Sequence, residues 1–258
     1  MKLRAAVFLA LVVLGSLAPG FARGERSQAG NLIVALNGGI APRALPRDRA
    51  APVAVNLQGE IRTDDGTNLP RLTQIELELA GENMLFTRGL AVCPRLRLRN
   101  ASSQQAVDRC GGAVVGSGWL DADVFVPGQA PFGIHARLLA FNGRTYGKRK
   151  AIWVNAFSPN PPVSLLLPFV VHPGSGAFPT RLVARVPRSV GPLPHLAAFD
   201  LNLRRRFSYD GEMRSYINAS CPVPRSLTAG FLTFARATYS FDDERRLSVE
   251  SVRSCRAR

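Results

Sequence analysis

The chain predicts an all-β fold: an antiparallel β-sandwich or partly closed barrel of about ten strands with one short helix. Three observations carry this expectation. From Val53 onward apolar residues recur with a period of two, turn signals separate the runs, and only Ser102 to Arg109 reads as a convincing helix.

The elements follow in order. Residues 1–22 have the three parts of a secretory signal: positive Lys2 and Arg4, an apolar run from Ala5 to Leu14, and Gly20-Phe21-Ala22 before Arg23. That run is about half the roughly 20 apolar residues a transmembrane helix needs, so it predicts cleavage near Ala22, secretion, and a mature form without a transmembrane segment. Residues 23–52 are small, polar or proline-rich, which predicts a flexible N-terminal segment with a short strand at Leu32 to Leu36. Residues 53–258 form the predicted single β domain.

Within that domain Val53, Val55 and Leu57 share one face, Asp64-Asp65-Gly66 turns the chain, and Ile75, Leu77 and Leu79 alternate with Gln74, Glu76 and Glu78. Such alternation marks antiparallel strands with one wet face. Ser102 can cap a helix over Ser103 to Arg109 that Gly111-Gly112 ends. A hairpin follows, with Leu120, Ala122, Val124 and Val126 on one face and Phe132, Ile134, Ala136, Leu138 and Ala140 returning on the same face. Centring its turn on Gln129 sets Asp123 opposite His135 and Asp121 opposite Arg137, two complementary pairs on the polar side. Further strands read at Ala151 to Phe157, Leu165 to Val171, Thr180 to Val186, Ala198 to Tyr209, Met213 to Ser220, Phe231 to Phe241 and Leu247 to Arg253. Around Asp210-Gly211, a three-residue loop that aligns Tyr209 with Met213 keeps the faces matched better than a two-residue turn.

The four cysteines allow three connectivities. Cys93 with Cys110 and Cys221 with Cys255 are the local choices, each closing around its own turn or hairpin, and an exported chain is where such bridges form.

The formal net charge of +15 favours anionic partners such as cell-wall polymers or lipid headgroups. Only Lys2, Lys148 and Lys150 among the 33 basic residues are lysines, however, so a GC-rich coding sequence is the plainer source of the arginine excess. Nucleic acid is not expected. Alternation around Arg204-Arg205-Arg206 turns Phe207 and Tyr209 to one face, where the core needs them rather than a stacking platform.

Catalytic signals are absent. There is no G-x-S-x-G elbow, H-E-x-x-H, C-x-x-C, EF-hand or phosphate loop, so neither a metal nor a cofactor is expected. His135 with Asp123 could serve as a base and its orienting carboxylate, but a solvated cross-strand ion pair is the ordinary meaning of such residues. Asp242-Asp243-Glu244 likewise reads as a polar turn.

Cys93-Pro94, Cys110, the Pro127 to Phe132 turn, Leu138 to Arg144, Leu167-Pro168-Phe169-Val170, Arg206 to Tyr209, Cys221-Pro222 and the closing Cys255 form a set. As a set they resemble a group of uncharacterised secreted proteins of high-GC actinobacteria. The resemblance implies secretion and a one-piece β body, and transfers no site residue.

These readings predict a non-enzymatic extracellular or envelope-associated module. A carrier that holds an apolar ligand in a β cavity is the second expectation, and a hydrolase using Asp121, Asp123 and His135 the third. The shape of the sheet separates the first two: a filled core fits the module, a lined cavity the carrier.

Overall fold

The computed structural model describes residues 25–258 apart from 82–83, 127, 146–148 and 188–193. The signal segment Met1 to Ala22, Pro127 and Lys148 therefore lie outside the described residues. Strands occupy 64% of the described residues and helices 7%. The first five strands are β1 (Glu25–Ala29), β2 (Leu32–Ala41), β3 (Ala44–Leu45), β4 (Ala51–Thr63) and β5 (Leu72–Leu79). A single helical turn, α1 (Arg95–Leu98), and the two-turn α2 (Ser103–Cys110) come next. The central strands are β6 (Val114–Val124), β7 (Phe132–Arg144), β8 (Lys150–Pro159), β9 (Pro162–Ser175), β10 (Phe178–Arg185) and β11 (Pro194–Leu203). The chain ends with β12 (Arg206–Tyr209), β13 (Glu212–Ser215), β14 (Ile217–Ala219), β15 (Ala229–Phe241) and β16 (Arg246–Ala257).

All but β12 and β13 join one sheet, in the order β1-β2-β4-β11-β6-β7-β8-β9-β10-β5-β15-β16-β3, with β14 paired beside β4. The expected all-β class stands, whereas the sandwich and the strand number of ten do not. A sandwich requires the ladder to break between two sheets. Here the ladder runs unbroken across thirteen strands and its twist accumulates into a strongly curled half-barrel. Register shifts at Leu196/Ala198, Val114/Gly116 and Thr233/Ala235 are bulges that add to the bend. The two ends of the curl are tied by side chains: Arg253 of β16 donates to the Gly38 carbonyl and to Asn37 Oδ1 of β2, and Val252 N–H donates to Glu25 Oε1 of β1 (2.6 Å).

Extra strands come from two sources. The stretch read as a linker with one short strand contributes β1, β2 and β3, because Leu32, Val34 and Leu36 bury against Tyr239, Phe241 and Val249 from the far end of the sheet. The long runs expected at Ala198 to Tyr209 and Met213 to Ser220 are each broken, at Arg204-Arg205 and at Tyr216.

Beyond β11 the β12–β13 hairpin corrects a second expectation. Asp210 (φ 52°) and Gly211 (φ 74°) form a two-residue turn, pairing Tyr209 with Glu212 and Phe207 with Arg214. Two positive φ values are the mark of the hairpin turn whose twist matches its strands. The face mismatch that argued against it is met by a cation–π contact: Arg214 lies 5.6 Å from the centre of the Phe86 ring, which itself stacks on Phe207.

Outside the curl, α1 and α2 pack Cys93, Leu98, Ala106 and Cys110 against Leu139, Phe141 and Trp153 of β7 and β8. Ser102 caps α2 in a complete capping box with Gln105, as its sequence predicts for the cap. Both expected disulfides are present, with Cα–Cα distances of 5.6 Å for Cys93–Cys110 and 5.8 Å for Cys221–Cys255. No helix among the described residues is long and apolar enough to cross a membrane.

Candidate functional site

Alternation in the long strands turns one set of side chains into the curl. Leu57 of β4, Leu120 and Ala122 of β6, and Ile134, Ala136 and Leu138 of β7 point inward, as the period-two reading places the same hairpin residues on a common face. Ile152, Val154 and Ala156 of β8, then Leu165, Leu167 and Phe169 of β9, carry that wall onward. Across the interior stand Leu77 of β5, Leu182 of β10, Phe199 and Leu201 of β11, and Tyr239 of β15. These walls do not meet everywhere. They enclose a cavity of about 160 Å³, and Ile75, Leu165, Leu167 and Phe169 face it while remaining only half-buried.

The lining is almost wholly hydrocarbon. Its polar members are Ser158, whose hydroxyl donates to the Asn160 carbonyl (3.2 Å), and Tyr239, whose phenol burial pushes well above its ordinary pKa and so keeps neutral. No charged residue among the described residues lines it. The lined part of β9 from Val163 to Phe169 spans about 20 Å at the strand rise, so the apolar lining extends along the strands. The cluster continuing from the wall into Met84, Leu90, Phe207 and Tyr216 packs the far end, where Phe86 N–H donates to the Tyr216 carbonyl and Asn218 N–H to the Met84 carbonyl.

The residues singled out from the sequence lie on the outer face. Asp121 sits opposite His135, not Arg137, and Asp123 opposite Gly133, so both expected pairings are shifted. The physical reason is the turn: Gly128, at φ 77°, takes the centre that the sequence reading gave to Gln129. His135 Nδ1 and Asp121 Oδ1 are 2.6 Å apart on an exposed surface. Arg137 faces Trp119 across the strands and has no carboxylate partner among the described residues. Ser102 and Ser103 border the same groove as His135, yet neither hydroxyl bonds its imidazole. No nucleophile–base pair is therefore assembled there among the described residues. Asp242 and Asp243 hold Arg71 and Arg245 at the β15–β16 turn, and no cluster of three or more His, Cys, Asp or Glu forms among the described residues.

Sequence reasoning missed the β9 and β15 lining, together with Trp119 and Phe157 beside Arg137. The signal for Trp119 was available. It is a large aromatic at a position that the alternation of Leu120 and Ala122 assigns to the wet face.

Fold and cavity define this chain as an all-β half-barrel with an apolar internal cavity. No protein-family model, curated protein or solved structure matches it.

Proposed function

We propose that this protein is an exported carrier that holds one slender apolar chain, of acyl or isoprenoid type, inside its curled sheet. The observation that carries this reading is the cavity: hydrocarbon on ten strands, without a charged group among the described residues, and partly unfilled. Protein interiors ordinarily pack to the density of organic crystals. A dry apolar cavity of roughly 150 Å³ already takes up a molecule the size of benzene, and this one has that volume within a lining that extends along the strands. A charged headgroup would have to stay outside, because burying an unpaired charge costs several kcal/mol.

The two disulfides fit an oxidising destination and the Met1 to Ala22 segment fits export. A purely structural envelope module makes no use of a hollow interior. A test begins with protein purified from its own host and weighed by native mass spectrometry. The expected result is a non-covalent adduct that organic solvent removes, and saturable uptake of a fluorescent alkyl probe by the stripped protein. A bare mass together with no probe binding overturns the reading.

A further inference from the structure

A second site lies on the opposite side of the same strands. Trp119, Arg137 and Phe157 stand in one cross-strand row on the outer faces of β6, β7 and β8, paired in register. With His135, Ser103 and Pro159 they border an open groove of about 510 Å³ beside the start of α2. None of these residues is needed for the cavity.

Two features of the groove want a ligand. Trp119 is 37% exposed and borders the groove with its aromatic surface. His135 stacks on it, with ring centroids 5.7 Å apart and planes at 28°, and Asp121 holds the imidazole in place at 2.6 Å, so the indole is held ready rather than loose. Arg137 is the second feature. Along the same row, Asp200 is saturated by Asn56, Gln58 and Asn202, whereas the Arg137 guanidinium has no anionic partner among the described residues.

We infer that this groove binds a carboxylated sugar, a uronate-type pyranose within a saccharide. The apolar face of a pyranose ring matches the flat indole, with Phe157 beside it. A guanidinium presents a planar fork that fits a carboxylate with two parallel hydrogen bonds. His135 remains for a ring hydroxyl, and an open, wet groove suits a ligand that keeps much of its hydration. A purely apolar ligand would cover the Arg137 guanidinium without giving it a partner.

The test is isothermal titration of the mature chain with an oligogalacturonate and with the neutral galactose oligomer of equal length. Arg137→Ala and Arg137→Gln are expected to weaken uronate binding by about tenfold or more while leaving the neutral sugar unchanged. Trp119→Ala and Trp119→Phe are expected to weaken both sugars, the phenylalanine variant less. Arg95→Ala, an exposed arginine on α1 away from the groove, should bind like wild type. Circular dichroism melting checks that each variant folds. Absence of saturable uronate binding, equal affinity for the neutral oligomer, an equal loss in Arg95→Ala, or competition by a nucleotide as effective as the uronate each overturns the assignment.

Discussion

Filling the cavity should make the protein more stable and less able to bind. Ala156 of β8 lies in the middle of the lined wall, between Leu138 on β7 and Leu165 on β9, and is itself buried while Leu165 is half-buried. Replacing Ala156 by Leu adds three carbons, each worth about 0.8 kcal/mol when buried, so the added burial comes to about 2.4 kcal/mol if the space is there. For a domain of this size that raises Tm by about 5 to 10 °C. If the wall were already packed, the same substitution would force neighbouring side chains from their rotamers and cost about 1–3 kcal/mol. The sign of the change therefore reports the void. Stripped wild type and Ala156→Leu would be compared by urea unfolding, and the fluorescent alkyl probe would be titrated into both. The expected outcome is a higher unfolding midpoint at unchanged m-value, with probe affinity lowered at least about tenfold. A lower midpoint with unchanged probe affinity would refute the reasoning, since the wall would be full and the probe bound elsewhere.

Other consequences follow from the same geometry. Gly59→Ala should destabilise by about 1–3 kcal/mol, because a methyl there falls 2.1 Å from the Phe199 ring; Phe199→Leu in the same chain should restore most of the loss, read by thermal melting. Loss of a bridge by Cys→Ser exchange at both positions should cost about 3 kcal/mol for Cys93–Cys110, across 17 residues, and about 4 kcal/mol for Cys221–Cys255, across 34; urea unfolding of the two double variants would show the order. The Asp65 carboxyl is held below its ordinary pKa of 3.8, first by the Thr67 hydroxyl and backbone N–H and then by Asn31. A lowered folded-state pKa gives stability that is present above the unfolded value and fades as pH falls through the folded one. Wild type should thus exceed Asp65→Asn near neutrality, and the gap should close as melts are taken below pH 3.8.

How much of this was legible depends on the range of the forces involved. The β class and the inward set Leu120, Ala122, Ile134, Ala136 and Leu138 follow from alternation, a local property of each strand. The α2 cap at Ser102 and the two bridges are local too. Pairing register is less local. A turn of several residues can centre on Gly128 or Gln129, and that choice moves Asp121 from Arg137 to His135 and sets Arg137 opposite Trp119. Curl is not local at all. Alternation tells which side chains face inward but not whether opposite walls touch, because that distance depends on how twist adds up over thirteen strands. The cavity was therefore invisible along the chain, although the half-buried leucines of β9 are its direct trace.

The two sites share their strands, and this constrains how they can work together. On β7, Ile134, Ala136 and Leu138 face the cavity, while His135 and Arg137 between them face the groove. On β8, Ala156 lines the interior and Phe157 the exterior. A single-residue period thus separates an apolar surface from one built around the Arg137 guanidinium, across the thickness of one sheet. Because the β6–β7–β8 ladder is continuous, a shift of one residue in register would empty both sites at once. Coupling of binding is a different matter. The outer groove rests on side chains whose backbones are held by ladder bonds on both sides, so saccharide binding has no packed two-state element through which to widen the cavity. Alkyl-probe affinity should then be the same with and without saturating oligogalacturonate, and titrations in both orders would measure it. A change of more than about threefold, some 0.6 kcal/mol of coupling, would mean that the sheet itself has two arrangements.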